Sequence, residues 1–314
     1  MDRYIYALGF FDGVHIGHQA LLDAVKGLCR EEKTGVITFA AHPDTLVTGV
    51  TPKLINTPQD RVKLLKRFGM EKVVTLPFDK KMRDTPWEDF LEELQKSCGA
   101  AGFVCGEDFR FGQKGLGTAE TLKEYCRARS LPCAVVPDQV RHGIRVSSTA
   151  IREQLEQGKM EEAVFFLGHP HILTGQVVHG KQLGRTLGIP TANLLLPPEL
   201  ITPKFGVYAG TAEAEGKRYP AVTNIGVRPT VHGHGIIVEP WILDFSGDLY
   251  DRTITLELTH FLRPERKFDS LEELKAEIEK NAQQTRELCK IPFPLLHGGG
   301  GAPPPPCRRG KGIL

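Results

Sequence analysis

The chain has 314 residues, with 40 Lys and Arg against 38 Asp and Glu, so its formal charge is +2. At about 150 residues per domain this length predicts two domains, and the near-neutral charge disfavours a protein that mainly holds a nucleic-acid backbone. Since we find no secretory pattern, no bilayer-spanning apolar stretch and no C-x-x-C pair among 7 cysteines, we expect a cytoplasmic protein with reduced thiols.

The first half of the chain alternates short apolar runs with helical patterns. We predict strands at Tyr4–Leu8, Gly35–Phe39, Lys72–Leu76, Ala101–Cys105 and Cys133–Val136, with helices between them. Thr57 is a predicted helix cap, and Thr85 is predicted to form a capping box with Glu88. Helices at Ser148–Gln157 and Met160–Leu167 close this half. Repeated strand–helix units predict a doubly wound parallel sheet, whose ligands bind at the carboxyl ends of the strands.

The pattern changes near residue 170 to short strands separated by Gly, Pro and Asn turns, which predicts an antiparallel β-barrel. Its predicted strands are Leu173–His179, Val207–Ala214, Tyr219–Asn224, Ile236–Phe245 and Thr253–Leu258. A helix that opens with a capping box at Ser270 follows. We therefore predict domains at residues 1–170 and 171–292, and a disordered Gly- and Pro-rich tail at residues 293–314.

The segment from Gly9 to His18 follows the first predicted strand and opens the first helix. His15 and His18 are three residues apart, so they share one face of a helix. The free N–H groups of a helix N-terminus attract phosphate, and imidazole donates hydrogen bonds to phosphate oxygens in either protonation state. We therefore predict a phosphate site here. Taken alone, the pair also fits two structural histidines, or a zinc site that lacks an evident third ligand.

A second segment, from Arg145 to Arg152, carries consecutive hydroxyls at a predicted helix start. Ser147, Ser148 and Thr149 are natural capping residues in any protein. The helix dipole disfavours a cation one turn into a helix, and that cost is offset if Arg152 grips a triphosphate. The two segments together predict a nucleotide site.

Two features of the second half carry further chemistry. A Gly-spaced loop from His179 to Gly188 precedes Thr191 and Asn193, whose side chains point the same way if they lie on a strand. A hydroxyl and a carboxamide are hard ligands suited to Mg²⁺ bound with phosphate, although a β-turn with polar ends is the simpler interpretation of these residues alone. Glu239 lies in an apolar strand, where a carboxylate is either paired structurally or ready to accept a proton.

Together these segments resemble the bacterial bifunctional riboflavin kinase/FMN adenylyltransferase (FAD synthetase) family, over the whole length except the tail. The motifs that carry the resemblance in the first half are G-F-F-D-G-V-H-I-G-H, F-A-A-H-P, G-E-D-F-R-F-G and S-S-T-A-I-R; those in the second half are G-R-T-L-G-I-P-T-A-N, N-I-G-V-R-P-T and V-E-P-W-I-L-D-F-S-G-D-L-Y. Ala41, Trp241 and Asp251 stand where relatives usually have Pro, His and Gly. The resemblance implies a nucleotidyltransferase domain followed by a six-stranded barrel with a C-terminal helix.

In the first domain the resemblance implies that His15 and His18 contact ATP phosphates and steady the transition state, opposite Arg152. The other ATP-binding residues that it implies are Gly9, Phe10, Phe11, Asp12, Gly17, Ser147, Ser148 and Thr149. It also implies a flavin site in which Asp108 accepts a hydrogen bond from the ring edge while Phe109 and Phe111 flank the ring.

In the second domain the resemblance implies that Thr191 and Asn193 lie at Mg²⁺ and that Glu239 is the base for the ribityl hydroxyl. The implied ATP contacts, in a loop that closes over the nucleotide, are Lys181, Gly184 and Arg185. The implied flavin contacts are Arg263 and Phe268.

The leading hypothesis is therefore one polypeptide with two ATP- and Mg²⁺-dependent activities, riboflavin to FMN in the barrel and FMN to FAD in the α/β domain. Its expected partners are riboflavin, FMN, FAD and ATP, with no nucleic acid and no membrane, and its oligomeric state is left open. One alternative is a single-activity nucleotidyltransferase with a flavin-binding second domain, which the T-A-N segment and Glu239 disfavour. The other is a non-enzymatic flavin-binding regulator, which the retained site residues disfavour.

Overall fold

The computed structural model describes residues 2–179, 189–230 and 233–290, and over them it contains a parallel α/β sheet followed by a closed β-barrel. The predicted nucleotide loop at Lys181, Gly184 and Arg185 and the predicted tail lie outside these described residues. The cysteines within them are free thiols. A helix of the length and apolarity needed to cross a membrane is not found in the described part of the chain.

Five strands form the parallel sheet, in the order β3-β2-β1-β4-β5. Their bounds are β1 Tyr4–Leu8, β2 Lys33–Phe39, β3 Lys72–Leu76, β4 Ala100–Gly106 and β5 Cys133–Val136. The order reverses between β1 and β4, so the carboxyl end of β1 lies at the position where doubly wound sheets bind their ligands.

Helices cover both faces of this sheet, as predicted. Their bounds are α1 Ile16–Leu28, α2 Asp44–Val47, α3 Pro58–Arg67, α4 Lys80–Asp84, α5 Trp87–Cys98, α6 Ala119–Ala128, α7 Ser148–Gln157 and α8 Met160–Leu167. Alternation along β1 explains the two layers. Ile5 and Ala7 pack in one core with residues of α1 and α3, whereas Tyr6 packs in the other with residues of α5 and α6.

One predicted helix cap is confirmed and one is wrong. The Thr57 hydroxyl accepts a hydrogen bond from the Asp60 N–H at 3.0 Å and caps α3. Thr85 does not cap α5, because Pro86 occupies the cap position and the Thr85 hydroxyl donates to the Lys81 carbonyl at 2.8 Å. The Thr85 hydroxyl is therefore bound to a carbonyl in the last turn of the preceding helix α4, and it is not available to cap α5.

Six strands close the barrel in the order β6-β7-β10-β9-β8-β11. Their bounds are β6 His171–Val178, β7 Asn193–Leu195, β8 Gly206–Ala214, β9 Lys217–Thr230, β10 Gly233–Ile242 and β11 Thr253–Arg263, and helix α9 follows at Leu271–Lys290. The prediction that one strand continues to Phe245 is wrong, because Asp244 adopts a left-handed backbone (φ 61°) that does not fit a strand.

The barrel packs against helix α3 of the first domain through polar contacts. The Thr174 hydroxyl of β6 donates to the buried Asp60 carboxylate at 2.8 Å. Arg67 and Arg218 both donate to the Glu257 carboxylate, at 3.0 and 2.7 Å. These pairs tie β6 and β11 to the same helix that supports the first domain's core.

His171, at the start of β6, is a source of acid sensitivity. Its ring is fully buried, and neither ring nitrogen has a hydrogen-bond partner within the described residues. Burial lowers the pKa of His171 to about 3, from the 6.5 of an exposed histidine. Below pH 6.5 the unfolded chain therefore binds a proton that the folded chain cannot bind, so stability falls as the pH drops toward 3.

We expect His171→Leu to raise the free energy of unfolding by about 1–2 kcal/mol at neutral pH, because it removes an unpaired buried polar ring. Its advantage over the parent should grow by about 2 kcal/mol when the pH is lowered from about 7.5 to 5. Urea unfolding at the two pH values measures both effects. If the free energies of unfolding of the two proteins differed by the same amount at both pH values, the lowered pKa of His171 would be contradicted.

Candidate active sites

The turn after β1 places two histidines at the start of α1. His15 is the N-cap of α1, and its Nδ1 accepts a hydrogen bond from the His18 N–H at 3.3 Å. Because Nδ1 is the acceptor, the proton of the neutral ring lies on Nε2. The His18 ring stacks on the His15 ring with centroids 3.7 Å apart. Gly17 makes room for this pair, since an added Cβ would lie 3.1 Å from the His15 ring.

Both histidines are neutral at physiological pH. Burial, reinforced by the positive charge of neighbouring groups, lowers the pKa of His15 to about 3. Burial and the adjacent His15 lower the pKa of His18 well below its usual value. The buried Nδ1 of His18 has no hydrogen-bond partner within the described residues. The pair therefore offers neutral hydrogen-bond donors, not fixed charges.

The N-termini of two helices meet at a cavity of about 220 Å³ beside these histidines. His15 caps α1, and Ser147 caps α7 by accepting a hydrogen bond from the Ala150 N–H at 3.2 Å. The polar and histidine side chains lining the cavity are His15, His18, Asp108, Asp138, Gln139, Arg145 and Ser147. Two converging helix dipoles favour an anion such as phosphate at this place.

Two residues predicted to bind ATP have side chains that are buried beneath the turn. Phe11 is fully buried in the core, and Asp12 is 2% exposed. The Asp12 carboxylate accepts hydrogen bonds from the Ile55 N–H at 2.9 Å and from Arg152 at 2.7 Å. Because the Phe11 ring is packed in the core and the Asp12 carboxylate is paired with Arg152, the predicted contacts of these two residues with ATP fall to their backbone atoms.

Arg152 and Ser148 also bind the protein itself. The Arg152 Nε donates to the Lys53 carbonyl at 2.7 Å, and the Ser148 hydroxyl donates to the Asp12 carbonyl at 2.8 Å. The pairing with Asp12 thus offsets the unfavourable interaction between the Arg152 charge and the dipole of α7, and no bound nucleotide is needed for this. The neighbouring Thr149 is exposed.

Arg145 is a cavity residue that the sequence analysis did not single out. Its half-exposed side chain binds Asp108 and donates to Asp138 at 3.0 Å, and it lines the histidine cavity. Its place in the sequence could have identified it, because Arg145 is the cation at the start of the R-V-S-S-T segment that leads into α7. Among the described residues that line this cavity, it is the only arginine.

An aromatic cavity of about 890 Å³ adjoins the histidine cavity. Phe10, Asp108 and Phe109 line both cavities. The Phe109 and Phe111 rings stack with centroids 5.5 Å apart, and Phe111 is buried. Further aromatic walls come from Phe39, Phe78 and Phe90. A flat apolar ring system therefore fits beside a phosphate site.

Strand β10 separates two cavities in the barrel domain. Glu239 and Trp241 line a cavity of about 730 Å³, whereas Pro240 and Ile242 line one of about 240 Å³. The alternation of side chains along a strand explains this division. Thr191 lines both cavities, so they meet two residues before the start of β7.

Helix α9 and the end of β11 close the larger barrel cavity. Arg263 Nε donates to the Asn281 Oδ1 at 3.0 Å, and the guanidinium lies 5.4 Å from the centre of the Phe268 ring. Arg263 thereby fastens α9 to the barrel while it lines the cavity. The cavity brings together Glu239, Trp241 and the two predicted flavin contacts, Arg263 and Phe268.

The predicted metal ligands lie beside these cavities. Asn193 begins β7 and pairs in register with Val178, two residues after Thr191. Within the described residues, no group of three or more His, Cys, Asp or Glu side chains is arranged to hold a metal ion. Thr191 and Asn193 supply hard oxygen donors that fit Mg²⁺ only if phosphate and water complete its coordination.

Comparison with known proteins matches each half of the chain to a family. Residues 2–150 match the FAD synthetase model, and residues 167–289 match the riboflavin kinase model. The bifunctional riboflavin kinase/FMN adenylyltransferase of Listeria monocytogenes is 32% identical over 287 residues, which cover 90% of this chain and 91% of the relative. The protein of the same description from Escherichia coli K12 is 34% identical over 295 residues, covering 92% and 94%.

A solved structure also matches over nearly the whole length. It is described as a macrolide-efflux protein from Streptococcus pneumoniae and has a TM-score of 0.81 and 32% identity to this chain. The match covers 91% of this chain and 94% of that chain. Both domains of the present fold therefore occur together in a related structure.

Proposed function

This chain belongs to the bifunctional riboflavin kinase/FMN adenylyltransferase family, and on that premise we propose which residues carry each of its two activities. It phosphorylates riboflavin with ATP to give FMN, and it adenylylates FMN with ATP to give FAD and pyrophosphate. The observation that carries the assignment is the pair of spatially separate sites, a histidine cavity in the α/β domain and a double cavity in the barrel. We place the domain boundary near residue 170, between α8 and β6.

In the α/β domain, we propose that the histidine cavity holds the ATP phosphates. An oxygen of the FMN phosphate attacks the α-phosphorus of ATP, and the bond to the pyrophosphate leaving group breaks. The Nε2–H of neutral His15 donates a hydrogen bond to the phosphate oxygens as charge develops there, and His18 lies beside it for the same purpose. The backbone at Gly9 and Gly17, the Ser147 and Thr149 hydroxyls and the Arg145 guanidinium complete the proposed cradle.

The aromatic cavity next to this cradle is the proposed site of the FMN ring. Phe109 forms one of its walls and Phe10 another, while Phe111 supports Phe109 from the core. Asp108 stands at the junction of the two cavities and is paired with Arg145. This arrangement directs the phosphate end of FMN toward the histidines.

In the barrel, we propose that riboflavin occupies the larger cavity and ATP the smaller one. Glu239 accepts the proton of the ribityl hydroxyl as that oxygen attacks the γ-phosphorus of ATP, and ADP leaves. Trp241 and Phe268 lie in the same cavity as surfaces for the flavin ring, and Arg263 holds α9 over it. Thr191 stands where the two substrates meet.

Mg²⁺ is the proposed cofactor of the barrel site, with Thr191 and Asn193 as its protein ligands. When bound, it neutralises phosphate charge during transfer. We expect Thr191→Val to raise the Mg²⁺ concentration needed for half-maximal FMN formation by about ten-fold, because one of two protein ligands is lost. FAD formation from supplied FMN is the internal control and should keep its Mg²⁺ dependence. An unchanged requirement for FMN formation would remove Thr191 from the metal site.

Neither alternative hypothesis is favoured. A single-activity nucleotidyltransferase leaves the riboflavin kinase match over residues 167–289 unexplained. A non-enzymatic flavin-binding regulator leaves the matches to two enzyme families and to bifunctional enzymes unexplained. We further propose a cytoplasmic location, with small molecules as the only substrates and no nucleic-acid or membrane partner.

The direct experiment is to incubate the pure chain with riboflavin, ATP and Mg²⁺ and to separate the flavins by chromatography. FMN should appear first and FAD after it, and both should require ATP. Recovery of riboflavin alone, from a chain whose circular dichroism shows that it is folded, would contradict the proposal.

A further inference from the structure

The turn that leads into His15 has an unusual backbone. Phe11, Gly13 and Val14 have φ values of 61°, 82° and 43°, all in the left-handed region. A β-branched residue such as Val14 rarely adopts this region, so the surrounding structure must hold it there. Val14 immediately precedes His15, and a change in its peptide bond would therefore move the His15 ring.

Side chains from α1 and from more distant parts of the chain bind the carbonyl groups of this turn. Each contact satisfies a carbonyl oxygen that would otherwise be costly to bury without a hydrogen bond. The five contacts are Thr38 Oγ1 to the Phe10 carbonyl at 2.8 Å, Arg61 Nη1 to the same carbonyl at 3.1 Å, Ser148 Oγ to the Asp12 carbonyl at 2.8 Å, His169 Nε2 to the Gly13 carbonyl at 2.8 Å, and Gln19 Nε2 to the Val14 carbonyl at 2.8 Å.

Gln19 makes the contact that lies nearest to His15. Its side chain is 8% exposed, and its amide nitrogen also donates to the Leu167 carbonyl at 2.7 Å. The two hydrogens of one amide group thus bind the turn and the last residue of α8 at once. The packing leaves little room for another arrangement, since a Cβ added at Gly168 would lie 3.0 Å from the Gln19 Oε1.

We infer that Gln19 is a positioning residue for adenylyl transfer. It touches no substrate; it holds the Val14 carbonyl so that the next residue, His15, keeps its Nε2–H toward the phosphates. The inference rests on the proposed role of His15 in FAD formation. A small displacement of a reacting or stabilising group is enough to lower a rate by about 10²-fold.

The sharpest test is Gln19→Glu, which keeps the shape of the side chain and removes both hydrogens. At about pH 8.5 its carboxylate would face two carbonyl oxygens, and we expect kcat for FAD formation to fall by about 10²-fold with smaller changes in KM. At about pH 6 the buried carboxyl group is protonated and donates one of the two hydrogen bonds, so the rate relative to the parent should recover by at least about five-fold. FMN formation from riboflavin should stay within about two-fold of the parent at both pH values.

Two further variants control this test. Gln19→Met has similar length and no titratable group, so its rate relative to the parent should be at least about ten-fold lower at every pH. Taking rates relative to the parent cancels the titration of the substrates and of the neighbouring His15 and His169. Gln157→Glu makes the same charge change on the exposed end of α7 and should leave FAD formation unchanged.

The outcomes separate this inference from the proposed function. A parent that makes no FAD refutes the function itself, whereas a parent that makes FAD allows the variants to be judged. The inference is overturned if both Gln19→Glu and Gln19→Met keep the parental rate, if Gln19→Glu loses the same fraction of the parental rate at about pH 6 as at about pH 8.5, or if FMN formation falls in parallel. If Gln19→Glu does not fold, Gln19→Met decides: a selective loss of FAD formation supports the inference, and the parental rate overturns it.

Discussion

Replacing His15 with alanine should stop FAD formation from supplied FMN, with a loss of at least about 10²–10³-fold in kcat, while riboflavin is still converted into FMN. The reason is the geometry of the neutral ring: Nδ1 is used as the cap of α1, which leaves the Nε2–H directed away from the helix start as a donor. Alanine removes this donor from the cavity that we propose holds the ATP phosphates. Chromatographic separation of the flavins measures both activities in one sample.

The control for this experiment is His15→Asn. Asparagine is a favourable N-cap and can accept the hydrogen bond from the His18 N–H, but its side chain does not reach the position of the imidazole Nε2. We expect the asparagine variant to unfold at the parental urea concentration and to remain inactive in FAD formation. Parental activity in this variant would show that the contribution of His15 is to cap the helix.

Replacing Glu239 with glutamine should have the opposite pattern. We expect FMN formation from riboflavin to fall by about 10²–10⁴-fold, because glutamine fills the same space and cannot accept the hydroxyl proton. FAD formation from supplied FMN should continue at the parental rate, because the histidine cavity lies in the other domain. Initial rates with riboflavin or FMN as the only flavin measure the two effects.

Glu265→Gln is the matched control for this change. Glu265 is a second carboxylate in the larger barrel cavity, where it accepts a hydrogen bond from Asn224 at 3.5 Å. Its replacement should lower kcat for FMN formation by no more than about five-fold. If the effects of the two variants were reversed, Glu265 and not Glu239 would be the base.

Local patterns were sufficient to predict much of this fold. Short apolar runs predicted the bounds of β1, β3 and β5, because strands of a buried parallel sheet are short apolar runs between polar turns. The hydroxyl at Ser147, a natural helix cap, predicted the start of α7. These signals lie within a few residues of the structures that they specify.

The supporting contacts of the candidate site could not be predicted in this way. Asp12 binds Arg152, Gln19 binds the carbonyl of Leu167, and Asp108 binds Arg145. Each pair is far apart in the chain and becomes adjacent only when the sheet has formed. The sequence therefore identified Asp12 and Arg152 as polar residues of nucleotide motifs, and only the structure shows that they bind each other beneath the turn.

The most direct test of the account is a mixture of two inactive proteins. Neither His15→Ala nor Glu239→Gln alone should convert riboflavin into FAD, since each lacks one of the two activities. Equal amounts of the two, incubated together with riboflavin, ATP and Mg²⁺, should form FAD, because FMN made by the barrel of the first protein reaches the histidine cavity of the second. Absence of FAD from the mixture, although each variant is folded and keeps its other activity, would contradict two separate sites that act in succession.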